Sequence, residues 1–206
     1  MKRVAAVVFV AVLVTAGVQA DVIYNNFGPG NSYENTTCAV IGGPGSLLGK
    51  WSSAMPFAPS ANYTLDTITV GIGVFGGTNS LDLALCDDAG GVPGTALESW
   101  SGISMGPPDT SGVVETVASV AHPLLTSGDQ YWVVASADGN TVAVWGQNST
   151  GDVGPEGQFV SGVWGLPVGQ RGAYSVTGDP VNVPEPATCA LFALGALGLL
   201  GKRRKK

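Results

Sequence analysis

The chain has 206 residues, a length that suits one domain plus targeting segments. Fourteen acidic residues lie between Asp21 and Asp179 against two bases, Lys50 and Arg171, so this stretch carries a net charge of about −12. Such a surface excludes nucleic-acid binding, because affinity for phosphate backbones comes from lysine and arginine. Sparse charge and 31 glycines predict an all-β domain.

The first twenty residues predict a secretory signal peptide. Lys2 and Arg3 precede an apolar run, and Val18-Gln19-Ala20 places small residues before a cleavage point between Ala20 and Asp21. The Sec translocon and signal peptidase are therefore expected partners, and the chain is expected to be exported.

Residues 21–178 show short period-two patterns separated by turn residues, which predict strands. Alternation at residues 68–74 and 81–85, with a glycine-rich turn between them, predicts an antiparallel pair. Further strands are predicted near 96–100, 113–120, 141–145 and 173–177. Residues 131–135 are apolar on both faces, as expected in the middle of a sheet. We expect a jelly-roll-like β-sandwich over 21–178, followed by a linker at 179–183.

The C-terminus combines three features. Pro184-Glu185-Pro186 is expected to be extended, because proline restricts its own φ and the residue before it. Residues 187–201 carry no charge and predict one short transmembrane helix of ~22 Å, against a hydrocarbon core of ~30 Å. The basic residues 202–206 predict a cytoplasmic tail, with the domain on the outer side.

This order of features at residues 184–206 resembles the PEP-CTERM sorting signal of Gram-negative bacteria, whose members are substrates of the membrane enzyme exosortase. The resemblance implies a precursor anchored in the inner membrane, which exosortase processes for the cell surface or extracellular matrix. A plain C-terminal anchor that nothing cleaves is the alternative.

A second resemblance covers most of residues 21–178. Asn26-Phe27-Gly28, Met55-Pro56-Phe57, Gly77-Thr78-Asn79, Gly90-Gly91-Val92-Pro93-Gly94 and Trp145 occur in an order similar to that of the choice-of-anchor R domain. That family is named for occurring with different C-terminal anchors, and the resemblance implies no enzymatic activity.

Two cysteines precede the C-terminal apolar run. Cys38 and Cys86 would lie in an oxidising compartment after export, where they could form a disulfide. Two buried free thiols are the equal alternative.

Aromatic and titratable residues supply the remaining site candidates. Trp51 and Trp164 fall in predicted loops, where an indole face could stack on a sugar ring. His122 is the single histidine, so a catalytic triad would have to use it. Asp87 and Asp88 are expected to be turn residues rather than calcium ligands. No catalytic residue, metal or cofactor is predicted.

These observations predict a structural or adhesive envelope protein in the surface or exopolysaccharide matrix, and not an enzyme. A carbohydrate-binding module using Trp51 and Trp164 is the alternative, followed by a secreted hydrolase built around His122.

The acidic charge generates a first prediction. A fragment from Asp21 to Asn182 is expected to be monomeric and β-rich, and its free energy of unfolding is expected to be lower at about 0.01 M salt, where the Debye length is ~30 Å, than at physiological salt, where it is ~8 Å. Denaturant titration at several salt concentrations measures this. A midpoint independent of salt would contradict the prediction, and a chelator titration would then reveal whether a bound cation holds the acids.

Overall fold

The computed structural model describes residues 20–107 and 114–181, with the backbone alone at residues 35, 37 and 38. These residues form a sandwich-like arrangement of β-sheets, which confirms the all-β prediction. The predicted signal peptide and the C-terminal helix and tail lie outside the described residues. Within the described ranges, no helix combines the length and apolar character needed to cross a membrane.

Sixteen strands are present in the described part of the chain, together with a short 3-10 turn at Pro29–Asn31. The strands, in chain order, are β1 (Asp21–Asn25), β2 (Tyr33–Gly42), β3 (Trp51–Phe57), β4 (Tyr63–Val70), β5 (Ile72–Gly76), β6 (Leu81–Asp88), β7 (Pro93–Ile103), β8 (Glu115–Ala118), β9 (Leu124–Leu125), β10 (Tyr131–Ala137), β11 (Val142–Asn148), β12 (Val153–Pro155), β13 (Gly157–Val160), β14 (Val163–Gly165), β15 (Val168–Gln170) and β16 (Tyr174–Pro180).

The described strands form three sheets. A nine-stranded sheet has the order β5-β11-β2-β3-β10-β6-β7, with the hairpin β13–β14 attached to β3. A five-stranded sheet has the order β1-β16-β4-β8, and β9 also pairs with β4. The strands β12 and β15 form a separate ribbon. The pairings between named strands are all antiparallel.

The core lies between the two larger sheets. Alternate residues of β6 and β10, among them Leu83 and Val133, are buried on one side. Ile68 of β4 and Val176 of β16 are buried on the other, in the same cluster. Strand β10 lies between β3 and β6, which confirms the prediction that residues 131–135 occupy the middle of a sheet.

The predicted pairing of residues 68–74 with residues 81–85 is wrong. Gly71 divides the first segment into β4 and β5, which belong to different sheets, and β6 pairs with β7 and β10 instead. The Gly71 amide donates to the Ala173 carbonyl at 2.9 Å, and the Gly71 carbonyl accepts from Gly146 at 2.9 Å. The alternation of apolar and polar residues continues through Gly71, because β4 and β5 turn the same face of the chain to one core. The pattern alone therefore does not reveal that the chain passes from one sheet to the other at Gly71.

The two ends of the domain lie side by side. Asp21, the first residue after the predicted cleavage point, pairs with Gly178 of β16. Strand β16 continues to Pro180, so the first residues of the predicted linker 179–183 belong to a strand. The Val181 amide then donates to the Asn62 carbonyl at 2.9 Å. The remaining residues of the predicted linker, 182 and 183, lie outside the described residues.

The location of the core generates a prediction that compares two leucines. Leu83 is 1% exposed on β6, whereas Leu47 is fully exposed. Leu83→Ala is expected to lower the free energy of unfolding by about 2–5 kcal/mol, because it removes buried methyl groups and leaves a cavity. Leu47→Ala is the matched control and should change it by less than about 0.5 kcal/mol. Equal effects in denaturant titrations would refute this assignment of the core.

Candidate functional site

The prediction that Trp51 and Trp164 lie in loops is wrong, because the structure places them in strands, on opposite faces of the nine-stranded sheet. Trp51 lies on β3 and shares a face with Met55, which belongs to the core between the sheets. Trp164 lies on β14 and packs against the cluster that contains Ala54 and Trp132 on the outer face. The Trp164 ring also contacts Phe159, with the ring centroids 5.3 Å apart. Since both indoles are partly buried and face opposite ways, they do not form one stacking platform.

His122 does not have the contacts that a catalytic triad requires. Its Nδ1 donates to the Leu65 carbonyl at 2.9 Å, where a triad histidine would donate to a carboxylate. The nearby Ser119 hydroxyl donates instead to Glu98, at 2.5 Å. The backbone at His122 has a φ of 47°, so the residue closes a tight turn. His122 and Ser119 are therefore not arranged here as the base and nucleophile of a catalytic triad.

Glu98 binds this turn through its carboxylate, which accepts hydrogen bonds from Ser119 Oγ and from the amides of Val120 and Ala121. Burial acts to raise the pKa of Glu98, but these hydrogen bonds outweigh it and lower the pKa. The carboxylate therefore has a structural role at the turn.

Cys86 is a free, buried thiol on β6. Burial, with the nearby Asp87 charge, raises the pKa of this thiol to about 11, so it is protonated and unreactive at neutral pH. Cys38 belongs to β2, which is three strand positions from β6 in the same sheet. Strands β3 and β10 lie between β2 and β6 in the order of this sheet. A disulfide between Cys38 and Cys86 stays a prediction.

Asp87 and Asp88 bind the backbone of the turn that follows β6. Asp87 Oδ1 accepts from the Thr95 amide at 2.5 Å, and Asp88 Oδ2 accepts from Gly90 and Gly91. Asp88 Oδ1 also accepts from the Trp132 indole at 2.8 Å. Among the described residues, no group of three or more metal-ligating side chains comes together.

The most concentrated set of polar contacts surrounds Arg171, which connects β15 to β16. Its Nη1 donates to Tyr24 Oη and to the Pro56 carbonyl, each at 3.3 Å, and lies 3.7 Å from Asp152 Oδ2. The same carboxylate oxygen accepts from the Tyr24 hydroxyl at 2.5 Å and from Asn26 Nδ2 at 3.1 Å. The Arg171 guanidinium, the Asp152 carboxylate and the Tyr24 hydroxyl are therefore all in contact with one another.

Asn148 at the end of β11 positions both charged partners. Its Nδ2 donates to the backbone carbonyls of Asp152 and Arg171, both at 2.8 Å. Its Oδ1 accepts from the amides of Asp152 and Thr150. Asn148 is completely buried, so its amide replaces the backbone hydrogen bonds that the loop between β11 and β12 lacks.

Tyr24 and Arg171 both keep their protons at neutral pH. Burial, followed by the hydrogen bond to Asp152 and the charge of Asp152, raises the pKa of Tyr24 to about 12. Burial acts to lower the pKa of Arg171, but its electrostatic interactions with Tyr24 and Asp152 outweigh burial and raise it. The phenol therefore remains neutral and the guanidinium remains charged.

A cavity of about 400 Å³ opens beside Arg171. It is lined by backbone and side-chain atoms from several elements: Tyr24, Pro56, Phe57, Ala58, Gln130, Pro155 and Arg171. The sequence analysis did not predict that these residues form a site. The signal that could have drawn attention to Arg171 is its rarity, since it is one of two bases in an acidic domain.

Comparison with known proteins bears on the C-terminus. The model of the PEP-CTERM protein-sorting motif matches residues 182–205, the segment that begins directly after the last described residue. The match supports an exported protein that is sorted at the membrane by exosortase in Gram-negative bacteria. No curated protein matches the chain. The resemblance of residues 21–178 to the choice-of-anchor R domain stays a prediction.

The contacts of Asp88 generate a pH prediction. The hydrogen bond from the Trp132 indole is the largest influence on the pKa of Asp88, and together with three further hydrogen bonds it outweighs burial and lowers that pKa. A lowered folded-state pKa adds stability that is complete above the unfolded value of about 4 and is lost as the pH falls through the folded value.

Asp88→Asn should therefore reduce stability at pH 7 and show a smaller further loss than the unmodified chain below about pH 4. Tryptophan fluorescence in denaturant titrations measures both effects. Asp129→Asn, at an exposed carboxylate, is the matched control. An acid-induced loss in Asp88→Asn as large as in the unmodified chain would show that Asp88 does not contribute to the acid sensitivity.

Proposed function

We propose that this chain is a structural or adhesive protein of the bacterial surface or its exopolysaccharide matrix. Sec exports it, its C-terminal segment holds it in the membrane, and exosortase removes that segment. The observation that carries the proposal is the sorting motif at residues 182–205, on the C-terminal side of the described β-domain.

The arrangement of the two ends supports this role. Strand β1 begins at Asp21, and β16 ends at Pro180 beside it. Both the predicted signal peptide and the sorting segment would therefore leave the domain from the same sheet. A domain attached in this way presents its opposite end away from the membrane, which suits display at a surface.

We assign no catalytic step to the domain. The buried Asn26 and Asn148 side chains are used in hydrogen bonds to the backbone of residues 171–174. A binding or structural role needs a stable scaffold with such fixed contacts, and it does not require a group that changes its protonation state near pH 7.

The sorting part of the proposal generates a prediction in the native host. Mature protein is expected to lack Lys202 to Lys206, and Glu185→Ala is expected to block release while leaving membrane insertion intact, because insertion depends on the apolar run and not on the motif. C-terminal mass measurement and membrane fractionation test these outcomes.

Glu34→Ala, at an exposed position on β2, is the matched control and should be released normally. Mature protein that keeps residues 202–206 would support the plain membrane anchor instead. Equal release of the Glu185→Ala variant would show that the motif is not what the processing enzyme reads.

A further inference from the structure

A groove runs across one end of three neighbouring strands. The cavity beside Arg171 shares Gln130 with a second cavity of about 370 Å³, which is lined by Asp87, Asp88, Gly128, Asp129, Gln130 and Tyr131. Pro56 and Phe57 end β3, Tyr131 begins β10 and Asp88 ends β6, and these three strands are adjacent. The two cavities therefore form one groove with Gln130 at its middle.

The groove offers hydrogen-bonding groups of both kinds at short intervals. Tyr24 and Arg171 lie at one end, and three aspartates, Asp87, Asp88 and Asp129, line the other, beyond Gln130. Gln130 Nε2 donates to Asp88 Oδ1 at 2.8 Å, which fixes the orientation of the amide at the middle of the groove. Pro155, which is exposed, adds apolar surface beside Arg171. Small-molecule sites combine such apolar walls with a few convergent polar groups, and they have volumes of about 300–1,000 Å³.

One buried donor in this region lacks a partner. Arg171 Nε is buried, and it makes no hydrogen bond with any described residue. Buried polar groups in folded proteins are nearly always hydrogen-bonded, so an unsatisfied N–H calls for an explanation. A bound molecule in the adjoining cavity that reorients the guanidinium would supply the missing acceptor.

Charge narrows the class of ligand. The guanidinium of Arg171 is already neutralised by Asp152, so it does not present a free positive charge to a ligand. The second cavity is lined by three aspartates, and the whole domain is acidic. An anionic ligand would be repelled along most of the groove. A neutral molecule with many hydroxyl groups meets both donors and acceptors without this penalty.

We propose that this groove binds a neutral oligosaccharide, with one sugar ring in each cavity. Carboxylate and amide oxygens accept from sugar hydroxyls, the Gln130 and Arg171 nitrogens donate to them, and exposed Pro155 contacts the apolar face of the ring beside Arg171. The inference rests on the proposed adhesive function, and it names the chemistry that the adhesion recognises. It uses different residues from Trp51 and Trp164.

The test uses the full-length protein in a detergent without a sugar headgroup, applied to an array of neutral, amino and uronic-acid oligosaccharides. Binding to neutral oligosaccharides is expected, with disaccharides bound more tightly than monosaccharides because both cavities are filled. Calorimetry with the best neutral ligand then gives the affinities of the variants.

Gln130→Ala is expected to weaken binding about three- to tenfold, the effect of one lost hydrogen bond. Tyr24→Phe is expected to weaken it as well, because the Tyr24 hydroxyl accepts from Arg171 and holds the guanidinium in position. Gln130 is exposed, so its variant retains the fold even if Tyr24→Phe is destabilised. Trp164→Ala is the matched control and should bind as the unmodified protein does.

Three results would overturn the inference: no neutral oligosaccharide binds, uronic-acid oligosaccharides are preferred, or Trp164→Ala weakens binding while Gln130→Ala does not. Failure of the sorting proposal is seen separately, since binding by purified protein does not require processing. Released protein that binds no glycan would refute the groove alone, and bound glycan with an uncleaved tail would refute the processing alone.

Discussion

The structure depends on one backbone carbonyl, that of Pro56. Proline has no N–H to donate, and it is tolerated within a strand only where no partner needs that donor. Strand β13 pairs with β3 from Trp51 to Ala54 and stops there, so Pro56 has a ladder partner on the β10 side alone. Its carbonyl accepts from the Tyr174 hydroxyl at 2.6 Å and from Arg171. A gap in one sheet is thus bridged by side chains that belong to or adjoin the other.

This junction orders the aromatic and polar groups around it. Tyr174 is completely buried and stacks on Tyr24, with the ring centroids 4.6 Å apart. The Tyr174 amide donates to Asn26 Oδ1, and Asn26 in turn contacts Asp152. Asn26 therefore links the backbone of β16 to the carboxylate that faces Arg171. The cavity beside Arg171 exists because these side chains hold the sheets together while the loop after β11 passes over them.

The same sheet connects the folded domain to its predicted processing sites. Strand β16 lies between β1 and β4; it pairs with β1 as far as Gly178 and with β4 as far as Pro180. Removal of the sorting segment, residues 182 onward, takes away no residue of this strand. The fold can therefore remain unchanged whether the C-terminal segment is attached or removed.

The sequence by itself determined the all-β class, several strands and the C-terminal sorting motif. Alternation of apolar and polar residues is local, as in residues 81–85, and the motif at 184–186 is read as a linear address, so neither needs the fold. The crossing at Gly71 and the opposite directions of Trp51 and Trp164 were decided by the tertiary structure alone. The site around Arg171 could not be predicted from the sequence, because its residues are distant in the chain: Tyr24, Pro56, Asp152 and Arg171. Their contacts arise when two sheets pack, and no local pattern of residues specifies which side chains meet at that junction.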